Sequence, residues 1–385
     1  MIKPLPAIPV TRGPLHHFFG YYDKPQVDLT GRYLLGHETA FHDRMPAAAD
    51  EAVIGLIDTH EGFVWKPVAR TRTWNWQQGA MLQWLPGAPA TILYNDVAGA
   101  VVLNAATGQQ RTLPRPVYAV TRCGRYALSL SFARLASTRV TTGYAGLVDP
   151  WEGERYPQQD GIWWMDLTTG DHRLIISYAQ LANHRHDPSM ERGPHWIEHV
   201  TVNPAGDRFL FLHRWPRAEG GFHTRMFTSD MNGGGLFQLP LYGASHFDWC
   251  DRDRILVWGR TPGEGGGYFL FDDRSDRYSP MAAGLMERDG HCTYSPDGRW
   301  VVTDEYPNGE NVRTLILYDV AGGVRYDVGR FYSPPGVSGH IRCDLHPRWS
   351  RDGRFVTFDS VHGGTRQIYL LDVRPIVEEG SHVPG

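Results

Sequence analysis

An all-β fold, a single seven-bladed β-propeller of four-stranded antiparallel blades, is predicted by three observations. A turn of the Asp-Gly-Arg kind recurs along the chain, a β-rich run follows it, and most units then close with a strand ending in Asp. The best copies are Tyr294-Ser295-Pro296-Asp297-Gly298-Arg299-Trp300 and Trp349-Ser350-Arg351-Asp352-Gly353-Arg354-Phe355. The turns at Asn203–Arg208, Asp28–Arg32 and Thr121–Arg125 are recognisable, and those at Trp249–Arg254 and Trp84–Gly87 are weaker. Phe209-Leu210-Phe211-Leu212 and Phe355-Val356-Thr357-Phe358 exemplify the runs that follow, and Tyr318-Asp319 and Leu371-Asp372 the closing strands. The units are roughly 40 to 55 residues long, near the length of propeller repeats.

A four-stranded sheet cannot bury both faces alone, so such units stack radially around a channel. The blades are expected near 16–62, 70–113, 115–175, 195–240, 244–283, 288–330 and 338–373, in one domain over 1–385. The N-terminal segment is expected to complete the last blade and close the ring. Six or eight blades stay open as alternatives, because the second and third units are irregular. Two insertions, 134–160 and 178–194, exceed what a bare blade needs, and long ordered loops often carry function.

Composition agrees with many short strands and tight turns: 43 Gly, 27 Pro, 13 Trp and 12% aromatic residues among 385. Charge is nearly balanced, 38 Lys+Arg against 42 Asp+Glu, with no charged block, which argues against nucleic acid or a membrane surface as partner. The N-terminus has no apolar leader and no long apolar run follows, so a soluble, cytoplasmic protein is expected. Four cysteines are too few for a disulfide scaffold and are read as thiols or metal ligands.

Aligning the turns and counting back four residues from Ser295 gives His291, and the same count gives His346, His246 and His199 in the neighbouring blades. Lys24 holds this position in the first blade. With 18 His in the chain, a chance coincidence at one repeat position is improbable. A ring of histidines around the channel is expected, functional or purely structural. The next strand of each blade returns to the same face and ends in polar groups, among them Glu38, Asn95, Asp96, Arg260, Asp304, Glu305 and Asp359. Together these are read as a polar pocket.

Cys343-x-x-His346 with His246 and His291 offers a soft N₃S set for zinc or another transition metal. A buried Cys343 acting as a small apolar residue is the alternative. His199 or His213 is a candidate general base, with Arg214 and Arg225 to neutralise a carboxylate. The stretch His16-His17-Phe18-Phe19-Gly20-Tyr21-Tyr22-Asp23-Lys24 supplies a candidate proton donor, Tyr22 or Tyr21. Trp76 and Gln78, in Trp74-Asn75-Trp76-Gln77-Gln78, offer an aromatic platform and an amide of the kind that sugar rings favour. Arg260 and Asp304 are read as substrate-binding. No serine-nucleophile elbow, phosphate-binding loop or dinucleotide fingerprint is present.

The unit from Cys343 to Gly353, running into Phe358-Asp359-Ser360 and Arg366-Gln367-Ile368-Tyr369, resembles the last blade of the propeller-type polysaccharide lyases, the oligogalacturonate and ulvan lyases with their TolB-like repeats. The likeness is clearest over blades four to seven. It implies a divalent metal, zinc or manganese, held by several His and a Gln, and a His base helped by Arg. The ulvan lyases imply His and Tyr as base and acid, with a zinc. The chain departs from the pattern in having Cys343 where the Gln would stand and Arg348 where another His ligand would stand. Arg348 is accordingly placed with the substrate-binding residues.

The resulting expectation is an enzyme, a lyase that cleaves an acidic, uronate-containing oligosaccharide by β-elimination. A non-catalytic propeller that binds a glycan or protein is the first alternative. A glycoside hydrolase using Asp304, Glu305 and Glu38 is the second. Oligomeric state is left open.

Overall fold

The computed structural model describes residues 1–378 and forms seven four-stranded antiparallel sheets, each one blade of a propeller. The innermost strands are His16–Phe18, Gln83–Trp84, Ala119–Val120, Trp196–Val202, Phe247–Trp249, Thr293–Tyr294 and Arg348–Trp349. The last blade takes its outermost strand from the N-terminus: Ala7–Pro9 pairs antiparallel with Gln367–Asp372. The ring is therefore closed by strands from the two ends of the chain.

The recurring turn explains itself locally. The Ser295 hydroxyl donates to Asp297 at 2.5 Å and accepts from the Trp300 amide at 2.9 Å, and Ser350 does the same with Asp352 and Phe355. The turn glycines Gly31, Gly124, Gly206, Gly298 and Gly353 all have φ between 70° and 76°, a region where a side chain is strained. In three blades the turn arginine reaches the Asp that ends the third strand: Arg32 to Asp58, Arg125 to Asp166 and Arg299 to Asp319. Repeat spacing between Arg and Asp is thus the length of two strands. Tryptophan joins blade to blade, since Trp84, Trp249 and Trp349 donate their indole N–H to the Gln26, Thr201 and Thr293 carbonyls of an adjacent blade.

The blade boundaries shift at one point. The first blade runs to Thr71, because Val64–Thr71 pairs with Ala52–Asp58 as its outermost strand. The second blade accordingly begins at Gln83. The outer strand was hidden by its polar pattern (Lys66, Pro67, Arg70), which reflects its half-exposed place at the rim.

Three departures from a plain propeller shape the channel. Residues 19–25 leave the innermost strand of blade one, which pairs with its neighbour at Phe18 and again only at Val27. This excursion crosses the channel as a plug, with Tyr21 on one side and Tyr22 on the other. The blade-three insertion carries the helix Phe132–Thr138, capped by the Ser131 hydroxyl. Arg134 of that helix is buried and donates to Asp149 and to the His195, Trp151, Glu154 and Arg155 carbonyls, which pins the insertion down. The 178–194 connection holds the helix Tyr178–Asn183, closed by a capping box between Ser177 and Gln180. Among the described residues no helix is long and apolar enough to cross a membrane.

His195 and His213 lock this connection to blade four. Arg225 donates to His213 Nδ1 at 3.0 Å, His213 Nε2 lies 2.9 Å from His195 Nδ1, and His195 Nε2 lies 2.9 Å from the Met190 carbonyl. Donors and acceptors alternate only if both rings are neutral, so a further proton removes an acceptor. Burial pushes His195 from 6.5 down to about 4 and His213 well below its ordinary value. Both pKa values lie below those of the unfolded chain, so stability is retained above pH 6.5 and lost as pH falls towards 4, by about 1.4 kcal/mol per pH unit for each histidine. Urea midpoints measured across that range should fall with pH, and His213→Gln should flatten the fall. An equal slope in both proteins would contradict this assignment.

Candidate active site

On one side of the plug lies a cavity of 460 Å³. His199, His246 and His291 line it, and His346 completes an arc: ring centroids are 6.4 Å apart for His199–His246, 4.0 Å for His246–His291 and 4.2 Å for His291–His346. The four repeat-position histidines therefore come together beside one cavity. His199 and His346 have φ of 58° and 44°. Positive φ in a non-glycine residue is a strained conformation that clusters at functional sites. At His199 it coincides with a β-bulge between Glu198 and Thr201, which leaves His199 Nε2 3.5 Å from Glu198.

Second bonds orient the rings. His246 Nδ1 lies 2.9 Å from Asp289, and His291 Nδ1 2.8 Å from Asp304. His346 Nδ1 lies 2.8 Å from the Gly20 carbonyl of the plug. A carboxylate or carbonyl at Nδ1 fixes the proton there and leaves Nε2 with its lone pair. His346 Nε2 is buried and has no partner. The Tyr21 hydroxyl lies 2.6 Å from His199 Nδ1, and burial raises Tyr21 well above its usual pKa, so it stays a phenol.

The walls are strongly basic. Arg139, Arg214, Arg217, Arg260 and Arg342 line the cavity, against one lining carboxylate, Asp289. Glu198 lies behind them. Burial alone would raise its pKa, but Arg214, which bonds it directly, and His199 and Arg139 outweigh burial and keep it ionised. Asp344 behaves likewise between Arg342 and Arg313.

His291, Asp344 and His346 offer ligand atoms that all lie within 4.8 Å of one another. Asp344 Oδ2 takes the Arg342 Nε–H at 2.7 Å; Arg313 stands 2.8 Å from Oδ1 but off the hydrogen-bond axis, so Oδ1 keeps a free lone pair. Two imidazoles and a carboxylate, with an orphaned Nε2 and an orphaned Oδ1, fit a divalent first-row ion. Cys343 is not in this cluster. It packs with Val337 and Val361, and burial pushes its thiol up to about 11, so it behaves as a small apolar residue. His246 adjoins His291 but bonds Asp289 instead.

The other expected residues divide. Arg214 and Arg260 line the cavity. His213 and Arg225 do not: they hold the 178–194 connection, Arg225 through the His184 and Leu181 carbonyls. Tyr22 packs its ring against His246, His291 and His346 but lines the far mouth, and its hydroxyl is taken up by the Phe247 backbone, so the tyrosine that lines the histidine cavity is Tyr21. Trp76 is buried under Arg366 with its N–H on the Arg44 carbonyl, and Gln78 bonds the Tyr118 hydroxyl; Gln77 is the amide that reaches the cavity. Arg348 pairs with Asp359 at 2.8 Å in the interior.

Of the polar strand ends read as a pocket, Arg260 lines the cavity, Asp304, Asp359 and Asn95 are clasps between blades, and Glu305 and Glu38 pair within their own blades. Asp304 accepts the His291, Leu345 and His346 amides, Asp359 accepts the Phe19 and Gly20 amides, and Asn95 exchanges bonds with Val117. Glu305 pairs with Arg325, and Glu38 with His17. These carboxylates do not form an acid/base pair in the cavity. Arg139, Thr141 and Thr142 come from the insertion and Arg342 from the loop before the last blade. No repeat position marks them.

No family model matches the sequence, and no curated protein matches it. Among solved structures, an oligogalacturonate lyase in complex with manganese aligns over 97% of this chain and 98% of its own, at TM-score 0.68 and 16% identity. The oligogalacturonate lyase from Vibrio parahaemolyticus aligns over 97% and 96%, at TM-score 0.69 and 13% identity. The tricorn protease aligns over 97% of this chain but 35% of its own, at TM-score 0.52. The likeness is one of architecture, and from end to end this chain shares its propeller fold with two oligogalacturonate lyases.

Proposed function

We propose that the protein is a lyase that cleaves acidic oligosaccharides by β-elimination at a uronate residue. The observation that carries this reading is a single cavity lined by five arginines and three histidines, with His346 beside His291, against one lining carboxylate. Such a lining attracts and holds a carboxylated ligand. The fold shared with oligogalacturonate lyases supports the same direction.

Elimination requires the proton α to the carboxylate to leave while the glycosidic C–O bond breaks. The cavity arginines hold the carboxylate and favour the carbanion-like charge that develops on it. His246 Nε2 takes the α proton, with Nδ1–H held by Asp289. The electron pair forms the C4–C5 double bond, and the leaving oxygen takes a proton from the Tyr21 hydroxyl. His291, Asp344 and His346 are the residues that would hold a divalent cation, and the manganese complex of a lyase with the same fold supports manganese as that ion. Such an ion supplies Lewis-acid neutralisation of the same carboxylate.

Incubation with a panel of uronate oligomers, plus manganese, should generate the ultraviolet chromophore of a 4,5-unsaturated uronate. Absence of that chromophore across galacturonate, glucuronate, mannuronate and guluronate oligomers would sink the lyase reading and favour a binding propeller.

A further inference from the structure

Two residues beyond each of three ring histidines, the chain places Thr201, Asp248 and Thr293 one storey lower in the channel. They line a second cavity, of 780 Å³, on the far side of the plug. Asp23 of the plug lines it too. Asp23 Oδ2 takes Lys24 Nζ at 2.7 Å and the Thr201 hydroxyl at 3.3 Å. Its Oδ1 has no partner, although the side chain is only 8% exposed. The Thr293 hydroxyl is likewise buried without a partner. Each Asp248 oxygen accepts one backbone N–H, from Trp249 and from Tyr294, both at 2.8 Å, and keeps a second lone pair.

A buried polar atom without a partner is costly, and here two of them belong to residues that line one cavity together with a second carboxylate. Lys24 engages Oδ2 alone and leans over the Tyr118 ring at 5.3 Å. The unsatisfied donor set consists of oxygens only, carboxylate and hydroxyl, which is the preference of a hard cation and not of a transition metal. Burial raises Asp248 to about 7, against the Tyr294 and Trp249 N–H bonds that lower it, with Asp23 adding to the rise and Arg122, which also lines this cavity, opposing it.

We propose that the lower storey of the channel is a binding site for a hard cation of the calcium class, ligated by the Asp23 and Asp248 carboxylates and the Thr293 hydroxyl. The site is independent of the upper cavity and of any reaction there.

Full-length protein stripped with chelator and titrated with calcium chloride by calorimetry should take up one equivalent. The near-isosteric Thr293→Val and the milder Asp23→Asn should each weaken that uptake about tenfold or more. His291→Ala should leave calcium uptake unchanged. No uptake by wild type at millimolar calcium, or uptake that survives both Thr293→Val and Asp23→Asn, would overturn the proposal. Should Asp23→Asn fail to fold, Thr293→Val decides alone.

Discussion

His246→Ala should lower kcat for uronate elimination by about 10²–10⁴-fold, the usual worth of a positioned general base. His246 is the arc histidine whose Nδ1 is held by a carboxylate at the edge of the cavity, Asp289, which is part-exposed at 24%. The other three have their Nδ1 engaged by Tyr21, by the buried Asp304 and by the Gly20 carbonyl. Removing the imidazole should cost turnover without costing manganese affinity, because His291, Asp344 and His346 form their cluster without it. Asp289→Asn should produce a smaller loss and move the pH–rate profile, since Asp289 positions the base and touches no substrate. Wild-type turnover in His246→Ala would transfer the role of base to His199.

Asp304→Ala should be the most damaging single change to the site's framework, at about 3–5 kcal/mol. One carboxylate receives the His291 amide and ring N–H, the Leu345 amide and the His346 amide, and all of these are buried. Deleting it orphans donors in two blades together and frees the ring whose tautomer it fixes. Denaturant midpoints should fall with an unchanged slope, and manganese affinity should fall with them. Loss of stability with intact manganese binding would show that Asp304 clasps the blades without orienting His291.

The turn, the blade number and the histidine arc were all legible in the sequence, because each is set by the repeat. Counting back from Ser295 located His199, His246, His291 and His346, which the structure gathers beside one cavity. What a repeat does not encode was missed. Arg139, Thr141 and Thr142 lie in an insertion with no counterpart in other blades, and Arg342 lies in a lead-in loop. The strand-end carboxylates misled for the opposite reason. They do recur, but what recurs in a propeller is also what joins one blade to the next, and Asp304 and Asp359 satisfy backbone amides there. Cys343 and Asp344 are neighbours in sequence, and so are Tyr21 and Tyr22. Which member of each pair joins the site depends on local backbone geometry that spacing alone does not reveal.

The plug at residues 19–25 gives the upper cavity a single doorway. Tyr21 forms part of its floor, Tyr22 is tied to the Phe247 backbone beneath, and Gly20 anchors His346. A glycan cannot thread through the propeller as through a bead. Whatever enters must back out the way it came, so in the proposed reaction both fragments of a cut chain would share one exit with the next arrival. Traffic at that doorway then favours short guests with a free end over the interior of a long polymer.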